Sequence, residues 1–360
     1  MKDLKVVELG AVLAIPAVGT FFAELGAKVI KIEPPTGDVT RSWKNSKESK
    51  EEVASAYFSS VNFGKEHQFL NLKNEVDLAA VRTLCDSADI VLSNFKHGDD
   101  ERYGLSYPTL AATNPKLIYG HLTGFRSDPE RVAYDTVLQA ETGFMHMNGY
   151  PKGLPAKMPV ALIDVLGAHQ LKEGILIALL ERERTGKGAL VEVTLEEAAL
   201  ASLKNQASNY LMSGLVPERA GTQHPNIAPY GDMYETKDKQ LIVLAIGNER
   251  QFHILCDLLN HPQLKFDERF QSNADRVHYR NELNNLLKEA FRLQDSEAIM
   301  DAFNEHKVPA GLVSDLDHIF RTNPIAQELI LEEDQNGTLT KRVRSAVFRI
   351  TRYSEGKSYR

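Results

Sequence analysis

The chain has 360 residues, of which 42% are hydrophobic and 25% are charged, and its formal net charge is −7. This composition is typical of globular proteins, and the length suffices for one large domain and a smaller one. The acidic balance argues against non-specific binding to nucleic acid. The two cysteines, Cys85 and Cys256, provide neither a disulfide framework nor the ligand spacing of a metal site.

The start of the chain leads directly into a strand-like stretch and has no apolar signal core. No stretch approaches the roughly 18 apolar residues that a membrane helix needs. We therefore expect a cytoplasmic protein that binds neither membranes nor nucleic acid and holds no metal.

The first third of the chain alternates between strand and helix patterns. An apolar run over 6–9 ends at Gly10, a helical pattern covers 17–25, and a β-branched run follows over 28–32. These three segments form a βαβ unit with parallel strands. A helix over 77–87 and strands over 89–92 and 116–120 continue the alternation. The sequence therefore predicts a doubly wound, mostly parallel, Rossmann-like α/β domain.

Ligands of such sheets bind outside the carboxyl ends of the strands. The loops after Leu9, Ile32, Leu92 and Tyr119 are therefore expected to surround the functional site. The charged stretch over 44–52 is expected to be an exposed loop.

A long helix is predicted over 166–184, because basic residues and then a glycine stop over 185–188 end the pattern. A strand over 190–195 and a helix from Glu196 follow. Prolines and glycines after Gly214 indicate a connector. A strand over 240–246, helices over 251–259 and 280–291, and a turn over 308–311 come next. We predict a large α/β domain over 1–215, a smaller α+β domain over 220–325, and a tail over 326–360 that returns to the large domain.

Several common catalytic motifs are absent from the sequence. The loop from Gly10 to Pro16 lacks the second and third glycines of the dinucleotide fingerprint, so NAD and FAD are not expected. The Gly-Lys pair over 185–188 ends a helix instead of opening one, which argues against a phosphate-binding loop. Neither a Gly-x-Ser-x-Gly elbow nor a helical His-x-x-x-His pair occurs, so serine and zinc hydrolase chemistry are unsupported.

Short motifs follow one another in a fixed order along nearly the whole chain. They are GAKVIKIEPP (26–35), GDVTR (37–41), LNLK (70–73), SNFK (93–96), RYGL (102–105), Tyr134 with Asp135, DVLGA (164–168), RTGKG (184–188) and His224 with Pro225. In this order they resemble the class III CoA-transferases, the family of formyl-CoA:oxalate and carnitine CoA-transferases and of α-methylacyl-CoA racemase.

The resemblance implies roles for individual residues. The aspartate shortly before the long helix, Asp164, would be the nucleophile. The phosphates and adenine of CoA would contact Arg41, Lys73, Lys96 and Arg102. The pantetheine arm would pass Leu13, Ala14, Leu72, Asn94, Phe95 and Tyr134. The family also implies an interlocked homodimer, in which two ring-like chains thread through one another. Taken alone, an aspartate at the start of a helix is typical of an N-cap, and the four basic residues are typical of solvated surface charges.

The implied chemistry suits an aspartate. Its carboxylate attacks a thioester, forms a mixed anhydride and releases CoA as a thiolate, which returns to give an aspartyl-CoA thioester that the acceptor acid attacks. With a reference pKa of about 3.9, Asp164 is expected to be ionised at neutral pH. The anhydride needs a dry site, and backbone amides at the start of the following helix are expected to face the oxyanion.

We therefore expect a CoA-transferase that moves CoA from an acyl-CoA donor to a carboxylic acid and has no permanently bound cofactor. The first alternative is an α-methylacyl-CoA racemase, which needs a base on each face of its substrate. The racemases place a histidine beside an aspartate where this chain has Tyr134 and Asp135, and a tyrosine with a reference pKa of about 10 is a poor base. The second alternative is a non-catalytic CoA-binding protein, against which the presence of Asp164 argues. The donor and the acceptor acid stay open.

Overall fold

A six-stranded parallel sheet forms the centre of the larger unit of the chain. The computed structural model describes residues 1–335 and 338–351. The strands of the sheet are β1 (Lys5–Leu9), β2 (Lys28–Glu33), β3 (Glu66–Phe69), β4 (Ile90–Ser93), β5 (Ile118–Thr123) and β6 (Ala189–Thr194). Their spatial order is β3-β2-β1-β4-β5-β6, and all neighbours are parallel. The predicted α/β fold class is confirmed.

In chain order, the helices up to residue 213 lie between the strands of this sheet or follow its last strand. They are α1 (Ala14–Glu24), α2 (Ala56–Ser60), α3 (Glu75–Asp86), α4 (Asp99–Tyr103), α5 (Tyr107–Thr113), α6 (Asp135–Glu141), α7 (Phe144–Met147), α8 (Leu162–Thr185), α9 (Leu195–Ala201) and α10 (Lys204–Ser213). One side of the sheet buries an apolar cluster that includes Val7, Val91 and Tyr119 together with Val81 of α3 and Leu110 of α5.

Helix α8 packs closely on α9 and on strand β6 because two of its residues are glycines. A Cβ at Gly167 would lie 2.7 Å from a Leu195 methyl, and one at Gly174 would lie 2.5 Å from a Val191 methyl. The helix ends at Gly186, whose φ of 70° matches the predicted glycine stop. It begins at Leu162, earlier than the predicted 166, so Asp164 lies inside its first turn.

The chain divides into two compact units. Among the described residues, unit 1 comprises Met1–Thr142, Met158–Leu211 and the segment from Pro324 onward, and unit 2 comprises Gly143–Lys157 and Met212–Asn323. Residues 143–157, which the sequence-based division placed in the large domain, group with unit 2.

Unit 2 combines an antiparallel sheet with helices. Its strands, in the order β7-β8-β9, are β7 (Tyr230–Glu235), β8 (Leu241–Ala245) and β9 (Ala310–Leu312). Its later helices are α11 (Glu249–Leu258), α12 (Asn273–His278), α13 (Arg280–Phe291), α14 (Ser296–His306) and α15 (Leu316–Thr322). Aromatic side chains form much of its core, with Tyr234 stacked on Phe291 at a centroid distance of 4.7 Å.

The last described segment returns to unit 1. Helix α16 (Pro324–Glu328) precedes an antiparallel pair of strands, β10 (Ile330–Gln335) and β11 (Thr338–Val343). Glu333 accepts a hydrogen bond from the Gly64 N–H at 2.9 Å, and Glu24 accepts one from the Ala346 N–H at 2.7 Å. Residues 352–360 of the predicted tail lie outside the described part. Within the described residues, no helix combines the length and apolar character that crossing a membrane requires.

Candidate active site

A cavity of about 280 Å³ lies at the carboxyl ends of four neighbouring strands. Its lining comes from the loops after β1, β2, β3 and β4, and includes Gly10, Ala11, Pro34, Asp38, Leu70, Asn71, Leu72, Lys73, Phe95, Asp99 and Tyr103. The strand order reverses between β1 and β4, which is where open parallel sheets bind ligands. The loops predicted after Leu9, Ile32 and Leu92 all contribute to this lining, whereas β5 continues past Tyr119 to Thr123.

The structure brings several of the predicted CoA contacts together at this cavity. Leu72, Lys73 and Phe95 line it directly. Asn94 holds the neighbouring loop, because its Oδ1 accepts from the Ala11 N–H and its Nδ2 donates to the Ala11 carbonyl, both at 3.1 Å. Leu13 and Ala14 follow in the same loop as the N-cap and first residue of α1.

Arg41 is neither a solvated surface charge nor a free cation. Its Nε and Nη2 each donate to the Glu33 carboxylate at 2.7 Å, and its guanidinium lies 3.8 Å from the centre of the Phe58 ring. Burial alone would raise the pKa of Glu33, but hydrogen bonds from Arg41 and His67 lower it well below the usual range. Arg41 can therefore contact a phosphate only while it keeps its hydrogen bonds to Glu33.

The other predicted basic contacts lie at the surface around the loop after β4. Arg102 pairs with Asp99 at 3.0 Å and donates to the Tyr103 hydroxyl at 2.6 Å, and both of these partners line the cavity. Lys96 is exposed in the loop itself. Lys73 thus provides an exposed ammonium group in the lining of the cavity, with Arg102 and Lys96 on neighbouring segments.

Asp164 is the third residue of α8 and is only 8% exposed. Ala161 occupies the N-cap position, so the capping role typical of such an aspartate does not apply here. Within the described residues no group donates a hydrogen bond to its carboxylate. Burial and then the charge of Asp135 raise its pKa to about 7. The expectation of an ordinary ionised aspartate with a pKa of about 3.9 is therefore not met, because burial disfavours the charged form of Asp164.

Asp135 fixes the start of α8. Its Oδ1 accepts from the Ile163 N–H at 2.7 Å, and its Oδ2 accepts from Gln139 Nε2 at 2.7 Å. Gln139 Oε1 in turn accepts from the Met158 N–H at 2.8 Å. From the sequence, Asp135 entered only as the neighbour of Tyr134, and nothing in its spacing indicated this role.

The backbone amides at the start of α8 are largely engaged within the protein. The Leu162 N–H donates to the Val160 carbonyl at 2.8 Å, the Ile163 N–H donates to Asp135, and the Val165 N–H donates to the Ala161 carbonyl at 3.1 Å. These three N–H groups therefore do not provide the oxyanion donors that were expected, because each already donates to an acceptor within the protein.

Tyr57 is a candidate site residue that sequence reasoning missed. Burial and the charges of Asp164, Asp135 and Asp38 raise its pKa to about 12. Its phenol stays protonated at neutral pH and can donate a hydrogen bond. The predicted contact Tyr134, by contrast, is 53% exposed at the N-cap of α6.

The comparisons with known proteins agree on one family. The model of CoA-transferase family III matches residues 1–356. The chain is 36% identical to succinate–glutarate CoA-transferase of Agrobacterium fabrum, over 96% of this chain and 88% of that relative. It is 37% identical to acetyl-CoA:oxalate CoA-transferase of Acetobacter aceti, over 87% of this chain and 80% of that relative.

Solved structures give the same result. A CAIB/BAIF family protein from Brucella suis is 37% identical, with a TM-score of 0.83 over 98% of this chain and 92% of that one. Rv3272 from Mycobacterium tuberculosis is 27% identical, with a TM-score of 0.84 over 97% of this chain and 93% of that one. The resemblance predicted from the ordered motifs is thus confirmed, and the chain belongs to CoA-transferase family III.

Proposed function

We propose that this chain moves CoA from an acyl-CoA donor to a short dicarboxylic acid, with Asp164 as the residue that carries the acyl group and then CoA. The observation that carries the proposal is the state of the Asp164 carboxylate, which is buried and accepts no hydrogen bond from the described residues. Its oxygen atoms are therefore free to attack. The names of the relatives, which include glutarate, oxalate and mesaconate, support a dicarboxylic acceptor.

The proposed reaction has four balanced steps. An Asp164 oxygen attacks the thioester carbonyl, the C–S bond breaks, and a mixed anhydride and CoA thiolate form. The thiolate attacks the Asp164 carbonyl of the anhydride and releases the donor acid, which leaves an aspartyl-CoA thioester. The acceptor carboxylate attacks this thioester and again releases CoA thiolate. The thiolate then attacks the acceptor carbonyl of the second anhydride, which gives the new acyl-CoA and frees Asp164.

The surroundings of Asp164 suit these steps. Burial removes the water that would hydrolyse an anhydride, and it raises the basicity of the carboxylate. We assign to the phenol of Tyr57, whose pKa burial and then the charge of Asp164 raise, the donation of a hydrogen bond to negative charge that develops beside Asp164. Each step exchanges one thioester or anhydride for another, so a general base is not required.

We assign the cavity at the carboxyl ends of the strands to CoA. Its apolar lining by Leu72 and Phe95 suits the pantetheine arm, and Lys73 supplies positive charge for phosphate. Lys96 and Arg102 extend this positive charge along the loop after β4 and α4.

Turnover with a panel of acids tests the function. Succinyl-CoA is supplied as donor with oxalate, glutarate or mesaconate, and formation of the new thioester is followed by chromatography. We expect transfer to at least one of these acids, loss of at least about a thousandfold in kcat for Asp164→Asn, and retained CoA binding. Asp301→Asn, an exposed position on α14, is the matched control and should leave kcat unchanged.

Two results of this experiment would contradict the proposal. The first is undiminished transfer by Asp164→Asn. The second comes from the same incubation run in deuterated water. It is exchange of the acyl-CoA α-protons in the absence of any transfer, which would indicate the racemase chemistry of the same family.

We further propose an interlocked homodimer. One face of α8 exposes Leu176, Ile177 and Leu180 at 36%, 59% and 56%, and Leu200 on α9 is 50% exposed. An apolar face of this kind is typical of an interface between protein chains. Sedimentation equilibrium should give about twice the chain mass of 40.2 kDa, and a monomer at micromolar concentration would contradict the proposal.

A further inference from the structure

We propose that Asp38 is a positioning residue that holds Val12 in a left-handed backbone conformation and thereby fixes the loop between β1 and α1 against the cavity. The inference concerns the shape of this loop. It rests on the proposed function only where CoA binding is used as the readout.

Val12 has a φ of 73°, in the left-handed region. A β-branched residue is rarely found there, because its side chain crowds the backbone. Such a conformation costs free energy and persists only where the surrounding structure imposes it. Val12 directly follows Gly10 and Ala11, which line the cavity, and it precedes the N-cap of α1.

Gly10, Ala11 and Val12 of this loop are each held by a different side chain. Lys31 donates to the Gly10 carbonyl at 2.8 Å, and Asn94 bonds both backbone groups of Ala11. The Val12 N–H donates to Asp38 Oδ2 at 3.3 Å. The three partners come from β2, the end of β4 and the loop after β2, so the loop is tied to both strands that neighbour β1.

Asp38 itself cannot swing away, because buried partners occupy its carboxylate. Its Oδ1 accepts from the N–H and the hydroxyl of Thr40 at 3.0 and 2.8 Å, and Oδ2 lies 3.1 Å from Lys31 Nζ. The side chains of Asp38 and Lys31 are each 1% exposed.

The network continues below the loop with balanced charge. Lys31 Nζ donates to Glu8 Oε1 at 2.9 Å, and Lys65 Nζ donates to Glu8 Oε2 at 2.7 Å. Two buried carboxylates, Glu8 and Asp38, thus face two buried ammonium groups, those of Lys31 and Lys65. Movement of any one of these side chains would leave a buried charge without its partner, which is strongly destabilising. Asp38 is thereby held where its Oδ2 accepts from the Val12 N–H.

A rescue experiment tests the inference. Glycine adopts a φ near 73° without crowding, so Val12→Gly removes the need for Asp38. Alanine still carries a Cβ, so Val12→Ala shortens the side chain without removing the conformational cost. CoA binding is measured by calorimetry, and unfolding by urea, for wild type, Asp38→Asn, Val12→Gly, Val12→Ala and both double variants.

We expect Asp38→Asn to weaken CoA binding about tenfold, and Val12→Gly in the same chain to restore it to within about threefold of wild type. Val12→Ala should not restore it. In the wild-type background, Val12→Gly should unfold at a higher urea concentration than Val12→Ala, the reverse of the usual order of these residues. This last comparison stands even if Asp38→Asn fails to fold.

The inference is overturned if the loss of CoA affinity in the Asp38→Asn, Val12→Gly double variant equals the product of the losses in the two single variants. It is overturned as well if Val12→Ala restores CoA binding to Asp38→Asn as fully as Val12→Gly does. It is also overturned if Val12→Gly unfolds at lower urea than Val12→Ala. If the wild-type chain binds no CoA, the proposed function fails, and the urea measurements alone still decide whether Asp38 and Val12 are coupled.

Discussion

At the scale of single residues, the environment of Asp164 decides its chemistry. An aspartate that has a pKa of about 3.9 in water has its pKa raised to about 7 here, by burial and then by the charge of Asp135. The sequence alone could not predict this, because burial of Asp164 depends on helices and strands far apart in the chain. It also could not predict that Glu33 would engage Arg41, since the two residues meet only through the fold.

The first prediction concerns the pH dependence of turnover. In the proposed mechanism the ionised carboxylate of Asp164 is the nucleophile, so kcat/KM should rise with pH up to a plateau, with a midpoint near pH 7. Below the midpoint it should fall about tenfold per pH unit. The profile is measured with a saturating acceptor acid and a limiting acyl-CoA.

The variant Asp135→Asn separates the two causes of the raised Asp164 pKa, which are burial and the charge of Asp135. It keeps an oxygen acceptor for the Ile163 N–H but removes the neighbouring charge, so the midpoint should move below 7 while burial keeps it above 3.8, the reference value for Asp164. Asp301→Asn should leave the midpoint in place. A flat profile from pH 5 to pH 8 in the wild type would show that Asp164 is not the titrating nucleophile.

At the scale of elements, hydrophobic pattern predicted the buried parts of the sheet. The apolar runs became β1, β2, β4, β5 and β6, and the predicted long helix became α8. Strand β3, with the sequence Glu66-His67-Gln68-Phe69, was missed because it is a short, polar strand at the edge of the sheet. The β10 and β11 pair was missed because its charged residues alternate with few apolar ones.

The second prediction concerns the contact between α1 and β1. A Cβ at Gly19 would lie 1.9 Å from Glu8 Oε2, and Glu8 is buried between Lys31 and Lys65. Alanine favours a helix over glycine by about 1 kcal/mol, yet Gly19→Ala should lower the free energy of unfolding by more than about 2 kcal/mol, because Glu8 has no room to move.

Gly186→Ala is the comparison for this prediction. Position 186 has open space for a Cβ, and only its φ of 70° disfavours alanine. Gly186→Ala should therefore lower the free energy of unfolding by about 1 kcal/mol. Denaturation in urea measures both variants. A Gly19→Ala variant as stable as the wild type would contradict the account of the buried charge network.

At the scale of the whole molecule, the proposed nucleophile, Asp164, is expected to reduce stability. Asp164 has a higher pKa in the folded chain than its reference value of 3.8, so the folded chain binds more protons between about pH 4 and pH 7. The stability of the wild type therefore falls as the pH rises through this window. Protein stability is often reduced in this way at catalytic sites.

The third prediction follows from this linkage. Asp164→Asn cannot ionise, so it should be more stable than the wild type by up to about 4 kcal/mol at pH 8 and by much less at pH 5. Urea denaturation at the two pH values measures the difference. An equal difference at both values would show that ionisation of Asp164 is not the cause.

The fourth prediction tests the central claim, that Asp164 forms the covalent intermediate. The protein is incubated with an acyl-CoA donor and hydroxylamine, digested and mapped by mass spectrometry. We expect a donor-dependent hydroxamate on Asp164 that is absent from Asp164→Asn. Full transfer activity with Asp164 unmodified, or a label confined to another residue such as Asp135, would contradict the account.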